Sequence, residues 1–513
     1  MYRYTFVGSI LCILSIILYV FVAFKYKDEI RKRSDNILFG LFNIVIASSL
    51  WGLAAPRIGS SITLFRVSML IFCCTYIIVH IKNKDNPFKC FKGYMWWLVA
   101  IMGIMLLYGL ITFVFLSNDR SYTFSRLFNL AFDCILCISV LLYCRKEDIF
   151  KCLIFNITVN VIIQYILAIY ECFTDSLYSV SEYIGPSFLG LFNLNLPQLF
   201  QGNTNNLSAA MFFCGMIIII YWLNRLYKEN SKIALPIILF ILCAQWFISY
   251  AGGAILVQIP IMLFFCAVVI VSMLNQKFKK TVPLILIPLI FAIAIQLTSI
   301  INLNTQGTVV QANAEEYSIE NIDNRVNTFS NETDNIEPKQ MSKIAETITQ
   351  PDDFTGLGIG ASHSFKRTVE IRTILLRFAF ETFRENVFGV GLGNTQKLAE
   401  LHVSDKTKGV SKLHCYIAEC IADFGIFFIL TGCGLMITLI STCIKAIRKY
   451  SCSRMIYKPN GMIILLLITL ICAVFLSTAP GCAQDLKAMW IYIGVIIIAV
   501  EYLTNISVKG ITE

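Results

Sequence analysis

Thirteen runs of apolar residues divide this chain, and they limit its fold more than any other feature of the sequence. Each run is long enough, the shorter ones only just, to cross a hydrocarbon core of about 30 Å as a helix. A helix also satisfies its own backbone hydrogen bonds inside that core. We therefore predict an all-α polytopic membrane protein with about 13 transmembrane helices, within a range of roughly 12–14. The runs cover residues 5–24, 37–54, 62–81, 95–116, 127–144, 152–172, 207–223, 233–250, 254–273, 282–301, 413–442, 461–479 and 489–505.

The composition agrees with a membrane protein and argues against a soluble domain. Of the 513 residues, 57% are hydrophobic and only 14% are charged. The net charge of +10 does not indicate nucleic-acid binding, because the location of the charges matters more than their sum. Most of the 19 cysteines lie inside apolar runs, where they act as small hydrophobic residues. The cysteine and histidine spacing does not indicate zinc, so we expect no metal, no cofactor and no nucleic-acid partner.

The loops between the runs predict the orientation of the chain. The loops and terminus on one side hold 24 lysines and arginines, whereas the terminus and the short loops on the other side, without the long segment 302–412, hold 5. By the positive-inside rule the basic side is cytoplasmic, so the N-terminus is outside and the C-terminus inside. The spans and loops divide the chain into three predicted parts. These are a transmembrane bundle of about ten helices at 1–301, a large extracytoplasmic segment at 302–412, and about three transmembrane helices at 413–513.

The extracytoplasmic segment has two different parts. Residues 302–366 hold ten acidic and four basic residues and few large apolar ones, so we expect a polar, partly ordered loop. Residues 372–385 instead have the periodicity of an amphipathic helix. Arg377 and Arg384 lie on its polar side, whereas Arg372 lies in the middle of its apolar side. Arg372 either snorkels to water or forms an anion site, because a charge on an apolar face needs a partner.

A glycine turn and a histidine follow this helix. Gly389, Gly391 and Gly393 permit positive φ and the close approach of a ligand, although a helix stop followed by a turn explains them as well. Asn394 ends the turn. His414 stands at the start of an apolar run, as a polar anchor or as a catalytic group.

Two polar residues near the predicted outer ends of other runs are also candidates. Arg66 lies within the third run, and a charge inside a membrane is a functional candidate by default, although snorkelling explains it equally well. Asn206 directly precedes the run at 207–223, where it can cap a helix or bind sugar hydroxyls.

The combination at 372–425 resembles the O-antigen ligase/polymerase family, the Wzy–WaaL superfamily of bacterial cell-surface glycan assembly. That family's pattern is an arginine-started helix, an Asn-Pro step, a GxGxGN turn, a variable connector, and a helix that starts with His-Asn and ends in Glu-x-Gly. Val387, Cys415 and Gly252 stand where the family usually has Pro, Asn and Arg. The matching residues are Arg372, Asn386, Gly389, Gly391, Gly393, Asn394, His414, Asp423 and Gly425.

The resemblance implies a metal-independent glycosyltransferase that uses undecaprenyl-pyrophosphate-linked glycans at the outer face of the bacterial cytoplasmic membrane. It implies a polymerase that joins repeat units of a capsule, O-antigen or exopolysaccharide. Arg372 and His414 are then catalytic, the first neutralising the departing phosphates and the second receiving a proton. A flippase and a chain-length regulator are the expected protein partners. The expected substrate-binding residues are Arg377, Arg384, Gly391, Gly393, Asn394, Asn206 and Arg66.

Three alternatives stay open at this point. A ligase of the same architecture hands finished glycan to a lipid or wall acceptor. A lipid-linked-glycan flippase or other transporter would favour internal repeats and charges near the middle of the membrane, which the sequence does not obviously show. A membrane scaffold would tolerate changes at Arg372 and His414.

Overall fold

The computed structural model describes the apolar runs and the connections between several of them. Part of the predicted polar loop, residues 302–362, lies outside the described residues. The described residues are 9–17, 20, 33–52, 56–58, 62–117, 119–174, 184–188, 192–195, 199, 204–251, 255–274, 282–295, 297, 363–407, 410–451, 460–477 and 486–505.

Helices make up nearly all of the described chain. Residues 9–17 are helical, Pro87–Cys90 forms a 3-10 turn, and Thr112–Leu116 continues α3 as a π-helix. The longer helices are α1 (Arg33–Leu50), α2 (Leu64–Asn83), α3 (Gly93–Ile111), α4 (Arg120–Tyr143), α5 (Glu147–Phe173), α6 (Thr204–Lys228), α7 (Ala234–Ala251), α8 (Ile255–Leu274), α9 (Val282–Ile295), α10 (His363–Glu385), α11 (Asn394–His402), α12 (Tyr416–Ser451), α13 (Asn460–Leu476) and α14 (Lys487–Asn505).

Eight of the described helices are long and apolar enough to cross a membrane, and the architecture is that of an all-α multi-pass membrane protein. Four further apolar helices are shorter, at Asn36–Leu50, Val257–Met273, Val282–Ile295 and Gly461–Leu476. Together these twelve coincide with twelve of the thirteen predicted runs, and the first run is described only at 9–17 and 20. The count of about 13 spans stays a prediction.

Two short antiparallel ribbons were not predicted. The strands β1 (Arg57–Ile58) and β2 (Ile62–Thr63) pair just before α2. The strands β3 (Ile184–Phe188) and β4 (Phe192–Asn195) pair within the predicted outer loop 173–206. Alternating apolar and polar residues in β4 suit a strand with one buried face, and its Leu194 is fully buried.

The helices on either side of the polar segment form one bundle with a shared apolar core. The helix α12 packs mainly against α3, α13 against α8, and α14 against α4 and α6. The predicted parts 1–301 and 413–513 are therefore interleaved in space. Residues that are far apart in the sequence can meet at one end of this bundle.

The two ends of the bundle differ in their polar groups. At one end, which we call the lysine end, Glu501 accepts a hydrogen bond from Arg145 and lies 3.7 Å from Lys92 Nζ. At the other end, which we call the turn end, the Leu392 N–H donates to Thr112 Oγ1 at 3.0 Å. The lysine end carries the basic loops that the sequence predicts to be cytoplasmic.

A buried polar cluster joins α5, α6 and α7. Gln245 accepts from Tyr165 Oη at 2.5 Å and donates to the Ser208 carbonyl at 3.1 Å and to Ser249 Oγ at 3.2 Å. All four residues are buried. Hydrogen bonds of this kind hold membrane helices together. Apolar side chains contribute less to this association, because a helix face can contact lipid tails as favourably as another apolar helix.

We predict that Gln245→Leu lowers the free energy of unfolding by about 1–2 kcal/mol, because the side-chain hydrogen bonds of Gln245, worth roughly 0.6 kcal/mol each on average, are lost. Tyr165 retains its 3.3 Å bond to the Met211 carbonyl, which limits the loss. Chemical unfolding in detergent micelles measures the change. Thr75→Val is the control, since that exposed hydroxyl bonds only within its own helix. Equal stability of the two variants would contradict the prediction.

Candidate functional site

The helix predicted at 372–385 is confirmed, and it begins earlier, at residue 363. Its Ala379 packs against Ala418 near the start of α12. Its Leu375 and Phe378 pack against Ala399 of α11. Thus α10 is fixed by apolar contacts on two sides at the turn end of the bundle.

The predicted polar face of α10 is also confirmed. Arg377 and Arg384 are exposed, as expected for a solvated side. Leu376 and Phe380, however, are exposed apolar residues on a separate strip. A helix with both kinds of exposed surface suits the boundary between headgroups and acyl chains.

Arg372 lies half-buried between these faces, beside the start of α12. Burial lowers the pKa of Arg372, and the nearby Cys415 thiol partly offsets this effect. Burial likewise raises the pKa of Cys415, while N–H groups of α12 and the Arg372 charge lower it. An arginine stays protonated through such shifts. The packing of α10 therefore puts a permanent positive charge next to the residue that follows His414.

His414 has a backbone conformation that few residues adopt. Its φ of 52° lies in the left-handed region, which costs a non-glycine residue roughly 1–2 kcal/mol. The neighbours on both sides hold it there. Leu413 is buried against Ala379, and the Tyr416 N–H donates to the Ser477 carbonyl at 3.2 Å. Strain that the surroundings maintain in this way is found more often at functional sites.

The glycine turn packs directly on a break in α12. Gly425 interrupts that helix with φ 65° and ψ −152°. The Ile426 N–H then donates to the Val387 carbonyl at 2.8 Å, and the Val390 N–H donates to the Ala422 carbonyl at 3.0 Å. The broken helix and the turn thus satisfy each other's backbone groups in the manner of a short strand pair.

Asp423 holds the second half of the turn. Its carboxylate accepts from the Gly393 N–H at 2.7 Å, from the Thr395 N–H at 3.1 Å and from Thr395 Oγ1 at 2.6 Å. Its carbonyl accepts from the Gly391 N–H at 2.9 Å. Asp423 is buried, so these donors satisfy a carboxylate that is removed from water.

These bonds bear on the expected role of Gly391, Gly393 and Asn394 in substrate binding, which stays a prediction. Gly389, Gly391 and Gly393 do adopt positive φ, of 89°, 99° and 77°. The group that approaches them is nevertheless the protein itself, because the amides of Gly391 and Gly393 point to Asp423. Asn394 donates through Nδ2 to the Val390 carbonyl at 2.8 Å. In this conformation the turn is a structural joint.

Arg126 of α4 is a buried cation that the sequence analysis missed. Its guanidinium donates to Tyr122 Oη at 3.1 Å and, through Nη2, to Gln396 Oε1. The same group lies 3.8 Å from the Glu419 carboxylate, and both side chains are about nine-tenths buried. Asp423 adds a further favourable charge. Arg126 therefore ties α4 to α11 and α12.

A spacing signal could have identified Arg126. Tyr122, Arg126, Asn129 and Asp133 recur at intervals of four, three and four residues, which places them on one face of a helix. The predicted apolar run starts at residue 127, which leaves Arg126 in the loop before it. All four residues lie within α4, where they form a polar stripe along one face of the helix.

The first turn of α11 is also held by contacts at the surface. Lys397 Nζ lies 3.5 Å from the Asp119 carboxylate and 4.8 Å from the centre of the Tyr122 ring. The Tyr122 N–H donates to Asp119 and lowers the pKa of that carboxyl, with Lys397 adding to the effect. Burial lowers the pKa of His402, at the end of α11.

Arg66 and Asn206 lie on other helices at the turn end. Arg66 donates to Asn129 Oδ1 at 2.6 Å, and its guanidinium lies 4.9 Å from the centre of the Phe128 ring. These contacts join α2 to α4. Asn206 is half-buried in the first turn of α6. Their assignment to substrate binding stays a prediction.

The assembled site has a fixed cation, an imidazole and a rigid support. Arg372 supplies the charge, and His414 supplies a group able to accept a proton near neutral pH. Within the described ranges, no three His, Cys, Asp or Glu side chains come together in a way that could hold a metal ion.

Compared with known proteins, the chain matches no family of proteins and no characterised relative.

We predict that Gly425→Ala and Gly389→Ala separate the turn from α12. A Cβ on Gly425 would lie 2.5 Å from the Gly389 nitrogen, and a Cβ on Gly389 would lie 2.7 Å from the Gly425 nitrogen. In each variant, an alanine at positive φ costs about 1–2 kcal/mol. The displacement of the neighbouring backbone adds a further cost. Limited proteolysis between residues 385 and 395 should therefore be faster in both variants.

The matched control for this prediction is Gly432→Ala in the same helix. Apart from the neighbouring backbone of α12 itself, no atom lies within 4 Å of a Cβ at that position, so the change should stabilise α12 by up to about 1 kcal/mol. Proteolysis as slow in Gly425→Ala as in Gly432→Ala would contradict the role given to the joint.

We predict that Arg126→Met destabilises the protein by about 3–5 kcal/mol, because it leaves the Glu419 charge buried without its guanidinium. The double variant Arg126→Met/Glu419→Gln should regain at least part of that loss. Chemical unfolding of the two single variants and the double variant forms a double-mutant cycle. Strictly additive losses would show that the 3.8 Å approach contributes nothing.

Proposed function

We propose that this protein is a membrane glycosyltransferase that uses a polyprenyl-pyrophosphate-linked glycan as donor. We further propose that it joins lipid-linked repeat units into a polymer at the outer face of a bacterial cytoplasmic membrane. The observation that carries the proposal is the packing of α10 on α12, which puts Arg372 beside Cys415, the residue that follows His414 in the chain. The resemblance of residues 372–425 to glycan polymerases and ligases is what implies the donor class.

The proposed reaction sets two chemical requirements. A hydroxyl of the acceptor sugar attacks the anomeric carbon of the donor, and the bond from that carbon to the pyrophosphate oxygen breaks. The pyrophosphate leaves with the bonding electrons, and the acceptor hydroxyl loses its proton. A cation is needed where negative charge develops, and a base is needed near the attacking oxygen.

Arg372 suits the first requirement. Its guanidinium can bind two phosphate oxygens at once through parallel N–H groups. It is half-buried, so its field is screened less than that of the exposed Arg377 and Arg384. The last two residues suit a weaker role, in attracting an anionic donor to the site.

His414 suits the second requirement. An imidazole accepts and returns protons near neutral pH without a large shift of its pKa. The left-handed φ of 52° fixes the direction in which the side chain leaves the backbone. A base held by its neighbours in this way can be positioned within hydrogen-bond reach of a bound hydroxyl.

The surroundings suit a donor that remains partly in the membrane. Leu376, Phe380 and Phe388 are exposed apolar residues of the α10 and turn region, and Phe427 of α12 lies 5.9 Å from Phe388 between ring centres. Such residues favour the boundary with acyl chains. A polyprenyl chain could then stay in the bilayer while its pyrophosphate reaches Arg372.

We predict that Arg372→Ala and His414→Ala each abolish polymer formation while the protein remains folded in the membrane. Arg372→Lys should also be strongly impaired, because an ammonium cannot make the forked contact. The assay incubates the purified full chain with lipid-linked repeat units and separates the products by size. A ladder of products indicates a polymerase, whereas transfer of one finished glycan to another acceptor indicates a ligase.

The matched control is Arg384→Ala, which removes an exposed arginine from the same helix. It should lower the rate by a few-fold at most, with an effect that fades at high salt. Normal ladders from both Arg372→Ala and His414→Ala would refute the catalytic assignment and favour a scaffold.

A further inference from the structure

A large groove opens at the lysine end of the bundle, far along the helices from the candidate site. It lies between α5, α6, α13 and α14, and its empty space of about 940 Å³ is open to the surroundings. The proposed glycosyl transfer does not use this groove.

The walls of the groove are apolar. Each of the four helices contributes buried aliphatic side chains, among them Ile154, Ile217, Leu466 and Ile496. Walls of this kind suit a hydrocarbon chain, and hydrocarbon is what surrounds a membrane helix.

The mouth of the groove is charged. Lys151, Arg225 and Lys228 stand there together with Glu147 and Glu229. Lys151 lies 2.9 Å from Glu147, and Arg225 lies 2.7 Å from Glu229. Within the described part of the chain Lys228 forms no ion pair, and its side chain is exposed. The mouth therefore keeps a net positive charge and an accessible ammonium group.

The charge and the location select one class of ligand. We propose that the groove binds an anionic phospholipid, with an acyl chain along the apolar walls and the phosphate between Arg225 and Lys228. Basic pockets between transmembrane helices on the cytoplasmic side bind anionic headgroups. The loops at this end are the basic ones that predict a cytoplasmic location. The proposal stands apart from the proposed glycosyl transfer, since it involves neither Arg372 nor His414.

The test measures lipid binding to the purified full chain by native mass spectrometry. Phosphatidylglycerol and phosphatidylcholine with the same acyl chains are titrated in parallel. We expect phosphatidylglycerol to bind at least tenfold more tightly. Lys228→Gln and Arg225→Gln should each weaken its binding about fivefold, the factor typical of one basic group beside an anionic lipid.

Two variants separate lipid binding from mere structural damage. Glu229→Gln should tighten phosphatidylglycerol binding, because it releases Arg225 from its 2.7 Å ion pair. If the pair only maintained the structure, its loss would instead weaken phosphatidylglycerol binding. Ala499→Phe should weaken the binding of both lipids, because it fills the groove without changing the charge. The control Lys445→Gln/Arg448→Gln removes two exposed charges from the end of α12 and should leave the binding of both lipids unchanged.

Equal binding of the two lipids to the unmodified protein would overturn the proposal. So would an unchanged lipid preference in Lys151→Gln/Arg225→Gln/Lys228→Gln. Tighter binding of a polyprenyl phosphate than of phosphatidylglycerol, at equal concentration, would overturn the assignment to a phospholipid. Loss of polymer formation without loss of lipid preference would bear only on the proposed glycosyl transfer.

Discussion

The contact between the glycine turn and the break in α12 determines the geometry of everything at this end of the molecule. Two positive-φ glycines, Gly389 and Gly425, let the two backbones approach so closely that neither tolerates a Cβ. Asp423 then gathers three donors from the start of α11. Because the turn joins α10 to α11, this contact adds to the apolar packing of α10 and to the Arg126 contact of α11 in holding both helices on the transmembrane bundle.

The charges of the region have two different roles in this arrangement. Arg126, with Glu419 and Asp423, is buried among its partners and holds α4, α11 and α12 together. Such a cluster contributes specificity of packing more than stability, since desolvation offsets much of the attraction. Arg372 instead lies half-buried on α10, a helix that apolar contacts hold against α11 and α12.

Sequence periodicity predicts much of this structure, but it does not predict which groups meet. The apolar runs locate the helices, and the helical wheel of α10 separates exposed Arg377 and Arg384 from half-buried Arg372. The glycine spacing correctly indicates positive φ. It cannot show whether a ligand or the chain itself approaches, because that depends on Asp423, 30 residues from Gly393. Arg126 is missed because its partners Gln396 and Glu419 lie far along the chain.

The interruption at Gly425 also divides the length of α12 into two portions with separate uses. The portion after it, residues 426–451, can extend about 39 Å as a helix, which already exceeds a hydrocarbon thickness of about 30 Å. The nine residues before it, 416–424, are therefore not needed to traverse the bilayer. They serve instead as the surface on which α10 and the glycine turn pack, so that one chain segment is both long enough to cross the membrane and the support for what lies at its end.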